Sequence, residues 1–160
     1  MPRQRPEKEI QFHYLSPIRI NAKQIIRETV GRILRRDHKS ARLINYVFCS
    51  DKYLLAMNRK HLGHAFLTDI ITFDLSDSSD EVKADIYISA DRVRENARIF
   101  GRPISEEIVR VIFHGALHLA GFRDKSRKEQ NEMRLMEEKY LKQYKEKSSL
   151  RDTIPRLRSK

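Results

Sequence analysis

Residues Phe113–Asp124 read FHGALHLAGFRD, and this stretch organises the rest of the chain. It places His114, His118, Gly121 and Asp124 at offsets of zero, four, seven and ten. On an α-helix, residues four apart share a face, so both imidazoles can be presented to one point. Gly121 follows one turn later and is the expected helix stop, because glycine accepts the left-handed conformation that ends helices. The chain can then turn back and bring Asp124 to the same point. Two imidazoles and a carboxylate with one position left open form a catalytic zinc-type ligand set. The plainer reading, two ordinary helix histidines and a turn aspartate, requires three ligand types and a stop glycine to coincide.

The spacing also matches the metzincin protease pattern H-E-x-x-H-x-x-G-x-x-H, with Asp124 in place of the last histidine. One residue disagrees. The protease general base would stand at position 115, and this chain has Gly115. Such a site can hold a metal and activate water without the usual base for peptide hydrolysis.

Upstream, Pro103 and Ser105 open the helix that carries the histidines. Ser105 is the expected cap, with Glu106 and Glu107 suited to the positive helix end. Ile108, Val109, Val111, Ile112, Leu117 and Leu119 cover much of its circumference, which predicts a central, buried helix. Downstream, Ser126 and Glu129 form a capping box for a last helix whose packing stripe is Met133, Met136, Tyr140 and Tyr144.

Further out, Glu9–Leu15 alternates as a strand, ended by Ser16 and Pro17, and its His13 reads as an ordinary histidine. Asn21 is the expected cap of a helix running to about Asp37, with Ile25, Ile26, Val30, Ile33 and Leu34 inward and Lys23, Arg27, Arg32, Arg35 and Arg36 outward. Ala41–Cys49 is an apolar strand. Ser50 caps a helix over Asp51–Leu62, with Tyr53, Leu54 and Met57 inward. Asp69–Leu75 and Val82–Ser89, joined by the polar SDSSD turn, read as an antiparallel hairpin. Asp91–Phe100 is a helix stopped by Gly101. The order β-α-β-α-β-β-α-α-α predicts a single α/β domain: a small mixed sheet of about four strands with about five helices. No glycine-rich phosphate loop is present.

The 160 residues suffice for one domain with a core. The formal net charge of +11 favours a polyanionic partner, most simply nucleic acid. The single cysteine, Cys49, cannot form an intramolecular disulfide and reads as a buried strand residue in a reducing compartment. There is no apolar run of membrane-spanning length, and the N-terminus lacks a signal-peptide core, so the expected location is the cytoplasm. Residues 1–8 read as loose, and residues 146–160 as a basic, mobile tail.

Three blocks carry a family resemblance. HGALHLAGFRD is similar to the H-G-x-L-H-L-x-G-x-x-H signature of the YbeY endoribonuclease family. Asn58 followed by Thr68-Asp69-Ile70-Ile71-Thr72-Phe73 resembles its N-…-T-D-V-L-S-F block, and Ala84–Ser89 resembles its G-D-I-x-I-S strand. The blocks fall in family order and the match covers most of residues 9–145. The resemblance implies a domain over residues 1–145 with His114, His118 and Asp124 holding one metal ion, Zn²⁺ or another divalent transition metal such as nickel. It implies a metal-dependent, single-strand-specific endoribonuclease acting in late small-subunit rRNA maturation and ribosome quality control. Its partners would be rRNA, the small ribosomal subunit and assembly proteins, with no membrane. Two departures stand out. The family's third histidine is Asp124 here. Its Tyr-Arg pair, whose arginine serves catalysis, aligns with His61 and Leu62, which leaves Arg59, Lys60 and His64 as candidates for charge stabilisation, with Arg123 also near. General base and nucleophile, metal-bound water or the RNA 2′-hydroxyl, stay open. The rival readings are a non-enzymatic ribosome-assembly factor with a structural metal and a metzincin-like protease.

Overall fold

A computed structural model describes residues 9–64 and 67–153. The expected element order is present: β1 (Ile10–Tyr14), α1 (Lys23–Arg36), β2 (Ser40–Cys49), α2 (Asp51–Leu62), β3 (Ile70–Asp74), β4 (Glu81–Ser89), α3 (Ala90–Phe100), α4 (Ile104–Leu119) and α5 (Arg127–Thr153). The strands form one mixed sheet in the order β1-β2-β4-β3. β1 pairs parallel with β2 and β2 parallel with β4, as helical crossovers require. β3 pairs antiparallel with β4, with Ile71 opposite Tyr87, as the short polar connection predicts.

Alternation along β4 sorts the two faces of the sheet. Val82, Ala84, Ile86 and Ile88 enter the main core with α1, α4 and α5. Tyr87, with Ile71, Phe73 and Cys49, lies on the other face under Leu54 and Met57 of α2. α4 is the axis of the main core: Ile108, Val109, Val111, Ile112, Phe113, Ala116 and Leu117 are all buried. Tyr46, also fully buried, donates its hydroxyl to the Ile112 carbonyl, which ties sheet to helix. Burying a tyrosine requires such a partner.

Gly115 explains how closely α4 approaches the sheet. A Cβ built there would lie 2.9 Å from Ile70 Cδ1 and 3.4 Å from Ile86 Cδ1. Glycine in mid-helix costs about 1 kcal/mol relative to alanine. Here it allows β3 and β4 to pack directly on the helix backbone.

The termini of the helices divide into expected and unexpected. Ser50 caps α2 by accepting from the Tyr53 amide. Ser126 and Glu129 close the reciprocal capping box at 3.1 Å in both directions. Three expectations fail. Asn21 does not cap α1: the N-cap is Ala22, in the left-handed conformation, and the Asn21 carbonyl instead accepts from the Tyr144 hydroxyl. Ser105 lies inside α4, whose N-cap is Pro103, with no side-chain cap. Tyr53 is exposed and stacks on Tyr87 rather than entering the core. α5 also continues through Glu146 to Thr153, into the segment expected to be a tail. Residues 1–8 and 154–160, expected to be loose, lie outside the described residues.

Cys49 is buried, and burial with the charges of Asp51 and Asp91 pushes its thiol up to about 12. The thiolate is the reactive species, so the folded protein should resist alkylation at pH 8, where an unfolded cysteine with a pKa of about 8.5 reacts readily. Labelling by iodoacetamide with and without urea checks this. Because the folded pKa is the raised one, the unfolded chain ionises first, and Cys49 contributes instability only above about pH 8.5.

A candidate metal centre on α4

The capping box starts α5 immediately after the turn that carries Asp124, and Gly121 makes that turn possible. α4 ends at Leu119, with Ala120 as C-cap, and Gly121 follows with a φ of 94°. That conformation suits glycine. The Phe122 amide then bonds back to the Leu117 carbonyl, which reverses the chain towards the histidines.

The three residues singled out from the sequence converge. His114 Nε2 lies 3.1 Å from His118 Nε2, and Asp124 Oδ2 lies 3.2 Å from His118 Nε2 and 3.4 Å from His114 Nε2. One ligand atom from each falls within 4.8 Å of the others. The opposite ring nitrogens are held as well. His118 Nδ1 lies 3.0 Å from the Phe122 carbonyl oxygen, and His114 Nδ1 lies 3.0 Å from Glu137 Oε1. Both partners accept, so both Nδ1 atoms donate, and in the neutral rings both Nε2 atoms present lone pairs. Two lone pairs and a carboxylate then face one another, which repels unless a proton or a metal cation sits among them. The donor set therefore fits a divalent transition metal.

Glu137 is one member of a larger buried ion cluster. Arg110, one turn before His114, donates Nε to both Glu107 oxygens at 3.1 and 3.0 Å and Nη1 to Glu137 Oε1 at 2.8 Å. Asp69 lies 3.9 Å from Arg110 Nη2, and Arg102 reaches Glu107 at 3.7 Å. Glu107 is fully buried, so it does far more than complement the helix dipole. Burial alone would lower the His114 pKa. The hydrogen bond and charge of Glu137, with Asp69 and Asp124, outweigh it and raise the value above that of an ordinary histidine.

Arg102, Arg110, His114, Asp124 and Glu137 line a cleft of about 560 Å³, with Phe100 and Arg134 also in its walls. Arg59, Lys60 and His64 are exposed at the C-terminal end of α2 and are not among its walls. Arg123 is exposed and lines a different groove, beside Arg36 and Asp37. His13 bonds to Asn45 across the sheet. Sequence reasoning missed Glu107, Arg110 and Glu137. Their signal was a polar stripe: Glu107, Arg110, His114 and His118 follow at three- and four-residue steps. Glu137 likewise falls in register within the apolar stripe of Met133, Tyr140 and Tyr144.

Fold and site together define a small α/β protein with a histidine–histidine–carboxylate metal-type centre on its buried helix. The profile of the family described as Endoribonuclease YbeY matches residues 11–145. Among curated relatives, Endoribonuclease YbeY of Flavobacterium psychrophilum is 44% identical over 133 residues, 83% of this chain and 94% of that one. The Cytophaga hutchinsonii protein of the same name is 45% identical over 113 residues, 71% of this chain and 79% of that one. The solution structure of a Thermotoga maritima protein aligns with a TM-score of 0.54 and 25% identity, covering 83% of this chain and 88% of that one. The chain belongs to the YbeY family.

Proposed function

We propose that this protein is a metal-dependent endoribonuclease that cuts single-stranded RNA, with rRNA as its main substrate, during maturation of the small ribosomal subunit. The observation that carries this reading is the convergence of His114 Nε2, His118 Nε2 and Asp124 Oδ2 beside an arginine-bearing cleft that His114 and Asp124 help to line. Family membership and the names of the relatives support it. His114, His118 and Asp124 would hold one Zn²⁺, with nickel the alternative ion. A bound divalent ion supplies a Lewis acid for the phosphoryl oxygen and lowers the pKa of a bound water towards neutrality.

The chain's own residues do the rest. Phe122 and Glu137 fix the two imidazoles in the tautomer that points Nε2 at the metal position. Arg110 holds Glu137 in place and keeps that carboxylate from being a lone buried charge. Arg59, Lys60 and His64, at the exposed end of α2, are proposed to stabilise charge along the RNA backbone. The net charge of +11 supports backbone binding with marked salt dependence. Residues 1–145 are read as the working domain, since the family match ends there, and residues 146–160 as a basic appendage. Among the described residues no helix is long and apolar enough to cross a membrane. The proposed location is the cytoplasm, and the proposed partners are ribosomal.

Glu137→Gln removes the charge behind His114 and should weaken zinc affinity about 10- to 100-fold, the usual cost of losing such a supporting partner. Competition with a chromophoric chelator measures this, and an unchanged affinity would mean that Glu137 serves only packing.

The test of the function itself offers untagged protein a single-stranded rRNA fragment, the same fragment annealed to its complement, and casein. Cleavage of the single strand alone is expected. Casein cleavage would favour the protease reading, which the packing around Gly115 and the family match both oppose. An Asp124→Ala variant that loses thermal stability, from a parent that never cuts RNA, would favour an assembly factor with a structural metal.

A further inference from the structure

The cleft beside the metal cluster has three arginines in its walls, and their charges are used differently. Arg110 is taken up by Glu107 and Glu137. Arg102 is shared between Glu107 and Glu138, and its Nη1 is buried with no hydrogen-bond partner. Arg134 is exposed and makes no ion pair or hydrogen bond among the described residues. It stands on α5 one turn after Gln130 and one turn before Glu138, both cleft residues. On the same cleft lies Phe100, the last residue of α3, 64% exposed to solvent. Phe100 and Arg134 thus bring an exposed aromatic face and an unpaired cation to the walls of one cleft.

We infer that Phe100 and Arg134 form a nucleotide subsite next to the metal cluster, the ring stacking on an RNA base and the guanidinium holding an adjacent phosphate. This rests on the endoribonuclease reading and adds to it the residues that seat the substrate strand. Single-stranded nucleic acid is held by this pairing of aromatic faces with a cationic track, and every base offers a face to stack on. The size of the cleft, about 560 Å³, suits a nucleotide-sized ligand. A duplex keeps its bases stacked on one another, so the subsite selects unpaired strands. It also supplies a cation near the scissile bond in a chain that has Leu62 where the family resemblance implies an arginine. Arg134 is free to take that role because no carboxylate among the described residues claims it.

Binding and cleavage of a fluorescein-labelled single-stranded RNA oligomer test this, with the zinc-loaded full chain, Phe100→Ala, Phe100→Tyr, Arg134→Met and His118→Ala. Anisotropy gives affinity against salt, and a thermal melt with and without zinc checks fold and metal. Phe100→Ala should bind about 5- to 150-fold more weakly, the range for one base–aromatic stack. Phe100→Tyr should bind like the parent. Arg134→Met should lower the slope of log affinity against log salt by about 0.7, one phosphate contact on a single strand. Melting temperature and zinc response should stay at the parent values in all three. The proposal is overturned if Phe100→Ala and Arg134→Met bind as tightly, and with the same salt slope, as the parent. If those variants match the parent while His118→Ala has lost cleavage, the subsite fails and the nuclease reading stands. If the parent binds through Phe100 and Arg134 but never cuts, the subsite stands and the nuclease reading fails.

Discussion

His118→Ala should abolish RNA cleavage and leave a folded protein. His118 supplies one of three converging ligand atoms, and its Nδ1 is fixed by the Phe122 carbonyl at 3.0 Å. Loss of a supporting partner alone costs about 10- to 100-fold, so loss of a ligand should cost more and bring cleavage to the level of a mock preparation. The fold should survive, because the side chain is 31% exposed at the edge of the core rather than inside it. Removing it also relieves the facing of two Nε2 lone pairs at 3.1 Å in the metal-free protein. The measurement is cleavage of a single-stranded rRNA fragment beside a circular dichroism melt. The control must be purified identically, since contaminating nucleases imitate weak activity. Equal cutting by variant and parent would separate activity from the metal cluster.

The second large effect concerns the residue that differs from the protease pattern. Gly115→Glu should prevent stable folding and should not create a peptidase. A Cβ at position 115 points at Ile70 and Ile86, away from the cleft, with its nearest contact at 2.9 Å. A glutamate there would drive a carboxylate between α4 and the apolar side chains of Ile70 and Ile86. A buried, unpaired polar group costs several kcal/mol, and overpacking of this kind adds about 1–3 kcal/mol. Small domains have only about 5–15 kcal/mol in total. Gly115→Ala is the informative companion. Its methyl meets the tip of the Ile70 side chain at 2.9 Å and Ile86 at 3.4 Å, and the gain in helix propensity of about 1 kcal/mol offsets part of the shift. The glutamate variant should appear in the insoluble fraction while the alanine variant melts near the parent. A soluble glutamate variant with parental stability would contradict the close packing of α4 on Ile70 and Ile86 at Gly115.

Both predictions concern a helix that was legible in the sequence, and the reason is local. The apolar periodicity of α4, the stop at Gly121 and the Ser126–Glu129 box are all written within a few residues of where they act. So were the metal-type ligands, because His114 and His118 sit one turn apart and Asp124 follows a reversal that glycine announces. The N-terminus of α1 was not legible. Ala22 adopts a left-handed conformation that alanine does not advertise, while the nearby Asn21 resembles a cap and acts only through its carbonyl. The ion cluster was only half legible. Glu107 and Arg110 are one turn apart, but their closure on Glu137 joins residues 27 positions apart and depends on how α5 lies across α4. Arg59, Lys60 and His64 follow only from the family resemblance, which implies an arginine where this chain has Leu62. The fold puts them at the exposed end of α2, whereas the cleft draws its cations from the α3–α4 connection, α4 and α5.

The most direct test of the central claim is a metal add-back on RNA cleavage. Protein stripped with a chelator and dialysed should not cut a single-stranded rRNA fragment. Added Zn²⁺ or Ni²⁺ should restore cutting in proportion to bound metal, levelling at one ion per chain, and should do nothing for stripped His118→Ala. Cutting by the stripped protein at the rate of the loaded one, or no cutting at any metal occupancy, would contradict the assignment of His114, His118 and Asp124 as the centre of an endoribonuclease.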